Sequence, residues 1–254
     1  MSVILEGGCR VSDFKEGAPR RHGTLCVWPQ VGRAVGAQAI SLRTLELAPG
    51  LSPGLRRAEG DEVLYVLSGE ASLFIDGWRY AAGPEAGFYV RPGQTLTVEN
   101  PGPDPLVLIS SQCPEPPDAC EPLAPLIQPL PGAEPPGRPP RVRLSDRPAL
   151  PTADRWYRVL VDDEVGSTQV TQFVGAIPPG RAPDHFHHYE EVLFILRGRG
   201  RMWAGRRHTP ISPGSCVFLP RQQVHCVENT GDGELRLLGV FYPAGSPAVR
   251  YDPD

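Results

Sequence analysis

The sequence contains one short stretch twice, as DEVLYVLSG at residues 61–69 and as EEVLFILRG at residues 190–198. In both copies acidic residues lead into five apolar residues, and a glycine follows, which is the pattern of a buried strand closed by a turn. The match continues downstream, where VEN recurs at 98–100 and 227–229 with the same spacing. Upstream, LAPG at 47–50 corresponds to IPPG at 177–180 with a spacing one residue longer. The chain is therefore predicted to contain two tandem units of one fold.

The composition indicates the fold class of these units. The 28 glycines and 31 prolines among 254 residues work against long helices and exclude an all-helical bundle. Apolar residues make up 40% of the chain, which is enough to give each unit a core. Each half consists of short β-rich runs separated by glycine and proline turns, as in sandwiches and barrels. We predict an all-β protein made of two tandem β-barrels.

A proline-rich segment separates the two units. Eleven prolines occur between Pro114 and Pro140, so backbone donors are missing and φ is fixed too often for a helix or a central strand. The segment also contains apolar residues, which indicates an extended backbone that lies along a domain surface. The predicted domains are an N-terminal barrel at 1–113, a linker at 114–150 and a C-terminal barrel at 151–254.

Charge and hydropathy exclude several classes of partner. The formal net charge is −4, the wrong sign for a protein that binds a phosphate backbone. The longest apolar runs have five residues, whereas a membrane helix needs ~20. The first ten residues do not resemble a secretory signal, and the six cysteines form no C-x-x-C pair, so we expect free thiols and a cytoplasmic protein.

Histidines cluster in the second half. Alternate side chains of a strand share a face, so His185, His187, Tyr189 and Glu191 are expected to point together, with His188 and Glu190 pointing away. A further imidazole, from His225, can cross from a neighbouring strand. Three neutral imidazoles and one carboxylate suit a divalent first-row metal.

The residues around this cluster resemble the two motifs of the cupin superfamily. The first motif runs through Gly180, His185, His187, Glu191 and Gly198, and the second through Gly214, Pro220, Gln222, His225 and Asn229. This chain departs from the pattern by one residue fewer after Gly180 and by Gln222 in place of a glycine. The resemblance implies two tandem cupin barrels (double-stranded β-helix or jelly-roll), as in bicupins. It further implies one divalent transition metal per chain (Mn, Fe, Ni, Co or Zn), held by His185, His187, Glu191 and His225, and a structural role for Asn229.

The first half contains the same repeated sequence pattern but lacks most of the metal-ligand residues. The counterparts of the three histidines are expected to be Arg56, Ala58 and about Leu96, and only Glu62 matches a ligand, Glu191. One carboxylate cannot hold a metal, so a structural or dimerising barrel is the favoured interpretation, with a remodelled ligand pocket around Glu62 as the alternative.

The resemblance is specific for fold and metal but leaves the reaction open, because cupins support many chemistries. A dioxygenase acting on a small enol, diketone, catechol-like or carboxylate metabolite is the favoured hypothesis. A non-redox isomerase, hydrolase or decarboxylase, and a non-catalytic sensor, are the alternatives. Glu191 and Tyr189 are the candidate catalytic residues, and arginines of the hairpin after residue 196 could steer an acidic substrate. The expected partner is a small molecule, without nucleic acid or membrane, and the chain is expected to be a monomer with paired barrels or a homodimer.

Overall fold

The computed structural model describes residues 1–116 and 122–252. The strands of the first half are β1 (Val3–Ile4), β2 (Arg10–Asp13), β3 (Arg20–His22), β4 (Leu25–Val31), β5 (Leu42–Leu47), β6 (Gly50–Leu51), β7 (Leu55–Arg56), β8 (Asp61–Ser68), β9 (Ala71–Ile75), β10 (Trp78–Ala82), β11 (Ala86–Val90), β12 (Thr95–Asn100) and β13 (Leu106–Cys113). The later strands are β14 (Arg141–Arg143), β15 (Leu150–Thr152), β16 (Arg155–Val161), β17 (Thr171–Ile177), β18 (Gly180–Arg181), β19 (Glu190–Arg197), β20 (Gly200–Ala204), β21 (Arg207–Ile211), β22 (Ser215–Leu219), β23 (His225–Asn229) and β24 (Leu235–Tyr242). Short 3₁₀ turns lie at Glu6–Gly8, Arg33–Val35, Leu144–Asp146 and Asp163–Val165.

The strands form two barrels, each made of two antiparallel sheets around one core. The N-terminal barrel has a seven-stranded sheet in the order β14-β11-β8-β13-β5-β4-β3 and a five-stranded sheet in which β10, β9, β12 and β6 follow one another and β7 also pairs with β12. The C-terminal barrel has an eight-stranded sheet, β1-β2-β22-β19-β24-β17-β16-β15, and a four-stranded sheet, β18-β23-β20-β21. The predicted fold class, all-β with two tandem jelly-roll barrels, is confirmed.

The repeated stretch forms the equivalent strands β8 and β19, which are buried on both faces. In β19, Leu193 and Ile195 face the interior of the C-terminal barrel, whereas Val192 and Phe194 belong to a second core cluster. That second cluster also contains side chains of the N-terminal barrel. The continuous apolar run therefore reflects cover on two sides, which is why it does not alternate with polar residues.

The two barrels pack against each other through this shared core. Its members include Val63 and Tyr65 of β8 together with Val192 and Phe194 of β19. At its edge the buried carboxylate of Glu190 accepts hydrogen bonds from backbone amides of the N-terminal barrel, at Gln38 and Ala39. Pairing of the barrels within one chain, as expected from the sequence, is thus a feature of the structure.

Strand exchange adds to this packing. Residues Arg10–Asp13 of β2 pair with β22 of the C-terminal barrel, and β14 pairs with β11 of the N-terminal barrel. β2 therefore extends the sheet of the barrel to which it does not belong in sequence, and β14, from the predicted linker, extends the sheet of the N-terminal barrel. The predicted domain limits (1–113, 114–150 and 151–254) remain a prediction, and these two exchanged strands cross them.

The described part of the linker lies along the N-terminal barrel. The backbone of Leu123 exchanges hydrogen bonds with Gly54, and the amide of Leu126 donates to the Thr97 hydroxyl. Residues 117–121, which include Cys120, lie outside the described residues. The other five cysteines are free thiols. Among the described residues, no helix has the length and apolar character needed to cross a membrane.

Candidate metal centre

Three histidines meet in the C-terminal barrel. The ring nitrogens that His185, His187 and His225 can offer to a metal all lie within 4.8 Å of one another. His185 and His225 are held side by side, because the amide of each donates to the carbonyl of the other at 3.0 and 2.8 Å. The amide of Gln222 donates to the carbonyl of His187 at 2.7 Å, which fixes the third histidine.

The segment before β19 is not a regular strand, although the sequence argument treated it as one. Isolated bridges form at His185 and Phe186, a bend follows, and the strand begins only at Glu190. His185, His187 and Glu191 nevertheless line one cavity, although Tyr189 does not. His188 packs instead against Phe186 and Tyr251. Glu190 points away from the histidines, because its carboxylate accepts a hydrogen bond from the backbone amide of Ala39 in the N-terminal barrel.

Hydrogen bonds fix which imidazole nitrogen carries the proton. The Nδ1 atom of His185 lies 3.0 Å from the carbonyl oxygen of Pro183, and Nδ1 of His225 lies 2.8 Å from that of Gln223. A carbonyl only accepts, so both Nδ1 atoms must donate, which leaves Nε2 with a lone pair. Outer partners of this kind orient metal-binding histidines in general.

Burial keeps these rings neutral. Loss of water lowers the pKa of His185. Loss of water, with a smaller contribution from neighbouring imidazoles, lowers the pKa of His187 and of His225 to about 3. Three neutral rings with available lone pairs are the form in which histidine binds a metal.

Glu191 lies beside the histidines and is almost fully buried. Its Oε2 atom is 3.6 Å from Nε2 of His187, but it does not lie within 4.8 Å of all three imidazoles. Burial raises the pKa of Glu191 to about 8. A cation at the centre would remove this penalty on the charged carboxylate, so the donor set fits a divalent metal.

Tyr189 stacks on His187 and does not line the cavity beside the three histidines. Its ring lies 4.7 Å from that of His187, nearly parallel at 8°, and 4.5 Å from Phe241 on the other face. This position suits a residue that orients His187. The catalytic role expected for Tyr189 stays a prediction.

A cavity of about 130 Å³ opens onto the histidines and Glu191. Its wall is largely apolar, with Trp156, Phe173 and Leu237 among the lining residues. Two arginines also line it: Arg155, at the start of β16 and 19% exposed, and Arg250, in the C-terminal tail and 44% exposed. They place positive charge near the three histidines, where the sequence predicted only metal ligands.

The hairpin after residue 196, whose arginines the sequence left as either solvated charges or a steering group, does not supply this positive charge. The arginines of the hairpin after residue 196 do not line the cavity in the described structure; Arg201, for example, pairs with Glu228 at 3.3 Å. Arg155 follows an acidic residue at the start of a strand, and Arg250 lies in an irregular tail. No sequence pattern therefore identifies either residue as part of the site. The tail itself is tied down by reciprocal backbone hydrogen bonds between Phe186 and Tyr251.

The N-terminal barrel has a counterpart for each of the three histidines, and two of these counterparts are shifted by one residue from those expected. Leu55 pairs with Leu96 as His185 pairs with His225, and the carbonyl of Arg57 accepts from Gly93 as that of His187 accepts from Gln222. The counterparts of the histidines are therefore Leu55, Arg57 and Leu96. Arg56 and Ala58 were wrong because the one-residue spacing difference falls after this segment. None of the three side chains can bind a cation.

Comparison with known proteins agrees with this architecture. A model of the Cupin domain matches residues 43–111 and 173–241, one match in each barrel. Oxalate decarboxylase of Bacillus subtilis superposes with a TM-score of 0.73 at 16% identity, over 92% of this chain and 76% of that one. A second structure of the same enzyme, described for its Mn(II) centres, gives 0.74 over 93% and 78% of the two chains.

Curated relatives match over shorter lengths. An oxalate-binding protein of Thermotoga maritima is 34% identical over 67 residues, which is 26% of this chain and 55% of the relative. An uncharacterized protein of Methanocaldococcus jannaschii is 32% identical over 69 residues, again 26% and 55%. Auxin-binding protein 1 of Arabidopsis thaliana is 29% identical over 86 residues, 30% of this chain and 43% of the relative. The chain spans about half the length of these relatives.

Proposed function

The chain belongs to the cupin domain family, and from that premise we propose that it is a metal-dependent enzyme acting on a small carboxylate. The C-terminal barrel holds one divalent transition metal through His185, His187, His225 and Glu191. The observation that carries this proposal is the convergence of three neutral imidazoles, two with Nδ1 fixed as donor, beside a buried carboxylate. A metal bound there supplies Lewis-acid polarisation of a carbonyl or carboxylate.

The cavity sets the size of the substrate. Its volume of about 130 Å³ lies below the roughly 300–1,000 Å³ of pockets for drug-sized ligands. The polar groups that face it are the histidines, Glu191, Thr152, Arg155 and Arg250. A molecule of a few heavy atoms with two or more oxygens matches both features.

Arg155 is the residue best placed to select a carboxylate. It is largely buried, and its guanidinium pairs with Asp154 at 2.9 Å. Burial lowers the pKa of His185, and the charges of Arg250 and Arg155 add to that shift. A guanidinium binds a carboxylate with two parallel hydrogen bonds. The names of two relatives, an oxalate-binding protein and an oxalate decarboxylase, point to the same ligand chemistry.

A non-redox reaction of the decarboxylase type is therefore the function that the site supports best. In that reaction Arg155 and Arg250 bind and orient the carboxylate, the apolar wall excludes water, and Glu191 is the only carboxylate among the described lining residues that can balance a cation. The dioxygenase reaction favoured from the sequence is the second candidate, because imidazoles with a carboxylate are also the ligand types of non-haem Fe(II) oxygenases.

Turnover assays with and without oxygen test this proposal. Protein loaded with Mn(II), Fe(II), Ni(II), Co(II) or Zn(II) is incubated with oxalate and small 2-oxo acids, and products are followed by mass spectrometry. We expect anaerobic consumption of a carboxylate, a loss of turnover of about tenfold or more in Arg155→Gln, and no change in the hairpin control Arg199→Gln. Consumption only with oxygen would favour the dioxygenase. Stabilisation by a carboxylate that is never consumed would contradict an enzyme and support a sensor.

A further inference from the structure

Residues 245–251 of the C-terminal tail, here called the strap, are fixed at both ends. At one end the amide and the carbonyl of Gly245 both bond to the hydroxyl of Thr171, at 3.1 and 3.0 Å. At the other end the backbone of Tyr251 exchanges hydrogen bonds with that of Phe186, at 3.2 and 2.9 Å. The two rings also stack, with 5.6 Å between their centroids and 25° between their planes. The strap therefore holds a defined position on the C-terminal barrel.

The strap contributes to the wall of the metal-centre cavity. Pro247, Ala248 and Arg250 line that cavity together with the three histidines. Phe186, to which the strap is bonded, lies between two of these histidines in the sequence. A displacement of the strap would therefore act directly on the segment that carries the candidate metal ligands.

His187 differs from the other two histidines in the surroundings of its Nδ1 atom. In His185 and His225, Nδ1 lies 3.0 and 2.8 Å from the carbonyl oxygen of the residue two positions earlier. For His187 that carbonyl belongs to His185, and it accepts from the amide of His225 instead, at 2.8 Å. The Nε2 atom of His187 faces Glu191, whereas Nδ1 is buried and is bonded with full hydrogen-bond geometry to none of the described residues. An acceptor for Nδ1 is therefore expected from outside this segment.

The backbone of Val249, in the strap, lies next to the ring of His187. Burial, with a smaller contribution from neighbouring histidines, lowers the pKa of His187 to about 3, and a hydrogen bond with the backbone of Val249 opposes that shift. Only an acceptor favours the protonated ring, so the group concerned is the Val249 carbonyl. Its neighbours in the chain, Ala248 and Arg250, both line the cavity with His187. The strap thus brings a carbonyl to the one histidine whose own segment provides none.

We propose that the strap is a positioning element of the metal centre, in which the Val249 carbonyl is the acceptor for Nδ1 of His187 and leaves Nε2 free to bind the metal. The inference rests on the proposed metal site. Outer acceptors of this kind fix the tautomer and the orientation of a histidine ligand, and their loss typically costs about 10–100-fold in metal affinity. Coupling between two equilibria is reciprocal, so a bound metal should hold the strap in place by the same factor.

The strap can leave this position without disrupting either barrel core. Every strap residue except Pro247 is exposed. Segments with so little buried surface open locally, at a cost far below that of global unfolding. Docking of the strap can therefore respond to metal occupancy while the fold stays intact.

Titration with Mn(II) and with Zn(II) compares the full chain with a chain that lacks residues 246–254. We expect the truncated chain to bind both ions at least about tenfold more weakly. The matched control is Arg250→Gln in the full chain, which removes the charge of the strap and keeps its backbone, so its metal affinity should be no lower than that of the wild type. Equal affinity of the truncated and full chains would overturn the inference alone, as would an equal loss in Arg250→Gln. A full chain that binds no divalent metal would overturn the proposed function and the inference with it.

Hydrogen exchange measures the reciprocal effect on the intact chain and does not depend on the folding of the truncated chain. The amide of Tyr251, which donates to Phe186, should exchange at least about tenfold more slowly with saturating Zn(II) than after treatment with a chelator. The amide of Leu123, which donates to Gly54 in the N-terminal barrel, is the control and should exchange at the same rate in both states. Exchange at Tyr251 that the metal does not slow would overturn the inference.

Discussion

The Nη1 atom of Arg57 lies 3.0 Å from the Oε2 atom of Glu62, at the place in the N-terminal barrel where His187 faces Glu191 in the C-terminal barrel. The two barrels thus share a frame and a carboxylate but differ in the group opposite it. A guanidinium is permanently charged and has no lone pair to give, whereas a neutral imidazole has one. The N-terminal barrel therefore has a permanently charged side chain, Arg57, at the position where the C-terminal barrel has a candidate metal ligand, His187.

Metal content should reflect this difference. We expect about one divalent ion per chain, because a site forms only where several deprotonated ligands converge. His187→Ala should lower metal affinity by more than the roughly 10–100-fold loss typical of an outer-shell partner, since it removes a direct ligand. Elemental analysis of protein purified without added metal measures the metal content, and a metal titration of the wild type and the variant measures the affinity.

The neighbouring histidine is the matched control for this experiment. His188 packs against Phe186 and Tyr251 on the opposite side of the segment, so His188→Ala should keep the metal. A content near two ions per chain would contradict the asymmetry between the barrels. Equal loss in the two variants would show that folding, and not ligation, explains the effect.

The ion group around Glu62 should matter for stability. Glu62→Gln leaves Arg43 and Arg57 buried without their shared counter-charge, and breaking a buried pair in this way costs roughly 3–5 kcal/mol. Urea denaturation should report a lower free energy of unfolding by about that amount. The exposed control Glu70→Gln should change it by less than about 0.5 kcal/mol. An unchanged value in Glu62→Gln would mean that the arginines are already compensated by another group.

Tyr189 is expected to act through His187. Its ring stacks on the imidazole, so Tyr189→Phe should retain metal affinity, and Tyr189→Ala should lower that affinity by roughly 10–100-fold. Metal titrations of the two variants make the comparison. If Tyr189→Phe keeps the metal but loses turnover, the hydroxyl takes part in the reaction, as the sequence hypothesis for a catalytic Tyr189 requires.

The architecture could be predicted because it depends on a repeated local pattern. The apolar runs at 63–67 and 192–196, each followed by a glycine turn, are buried on two faces, and a run without alternation is what such burial produces. Side-chain parity also predicted that His185, His187 and Glu191 point together. In the structure the three line one cavity, although the first two precede the regular strand.

What could not be predicted depends on contacts between residues far apart in sequence. Arg155 and Arg250 meet the metal-centre cavity from a strand start and from a tail, and β2 joins the sheet of the other barrel. The predicted counterparts Arg56 and Ala58 in the first barrel were also wrong by one residue. A one-residue insertion between two aligned segments moves the side chains on one side of it to the other face of the strand. The pairing of Leu55 with Leu96 and the hydrogen bond from the amide of Gly93 to the carbonyl of Arg57 locate that insertion.

Cleavage of the linker should leave the barrels associated. They share one apolar core, Glu190 bonds to backbone amides of the N-terminal barrel, and β2 extends the sheet of the C-terminal barrel as β14 extends that of the N-terminal barrel. A protease site can be inserted after Gly132, where an added Cβ would meet no atom within 4 Å. After cleavage we expect both fragments to elute together in gel filtration and to separate only in denaturant.

The carboxylate of Glu190 provides the variant that weakens this association. Glu190→Ala leaves the amides of Gln38 and Ala39 without their acceptor, and each buried unsatisfied donor costs about 1–3 kcal/mol. The cleaved variant should therefore dissociate at a lower urea concentration than the cleaved wild type. The exposed control Glu234→Ala lies on the C-terminal barrel near Arg236 and should leave the midpoint unchanged. Two folded fragments that elute apart without denaturant would refute the shared core, because neither barrel could then keep its outer apolar face, with Val192 and Phe194 or Val63 and Tyr65, out of water.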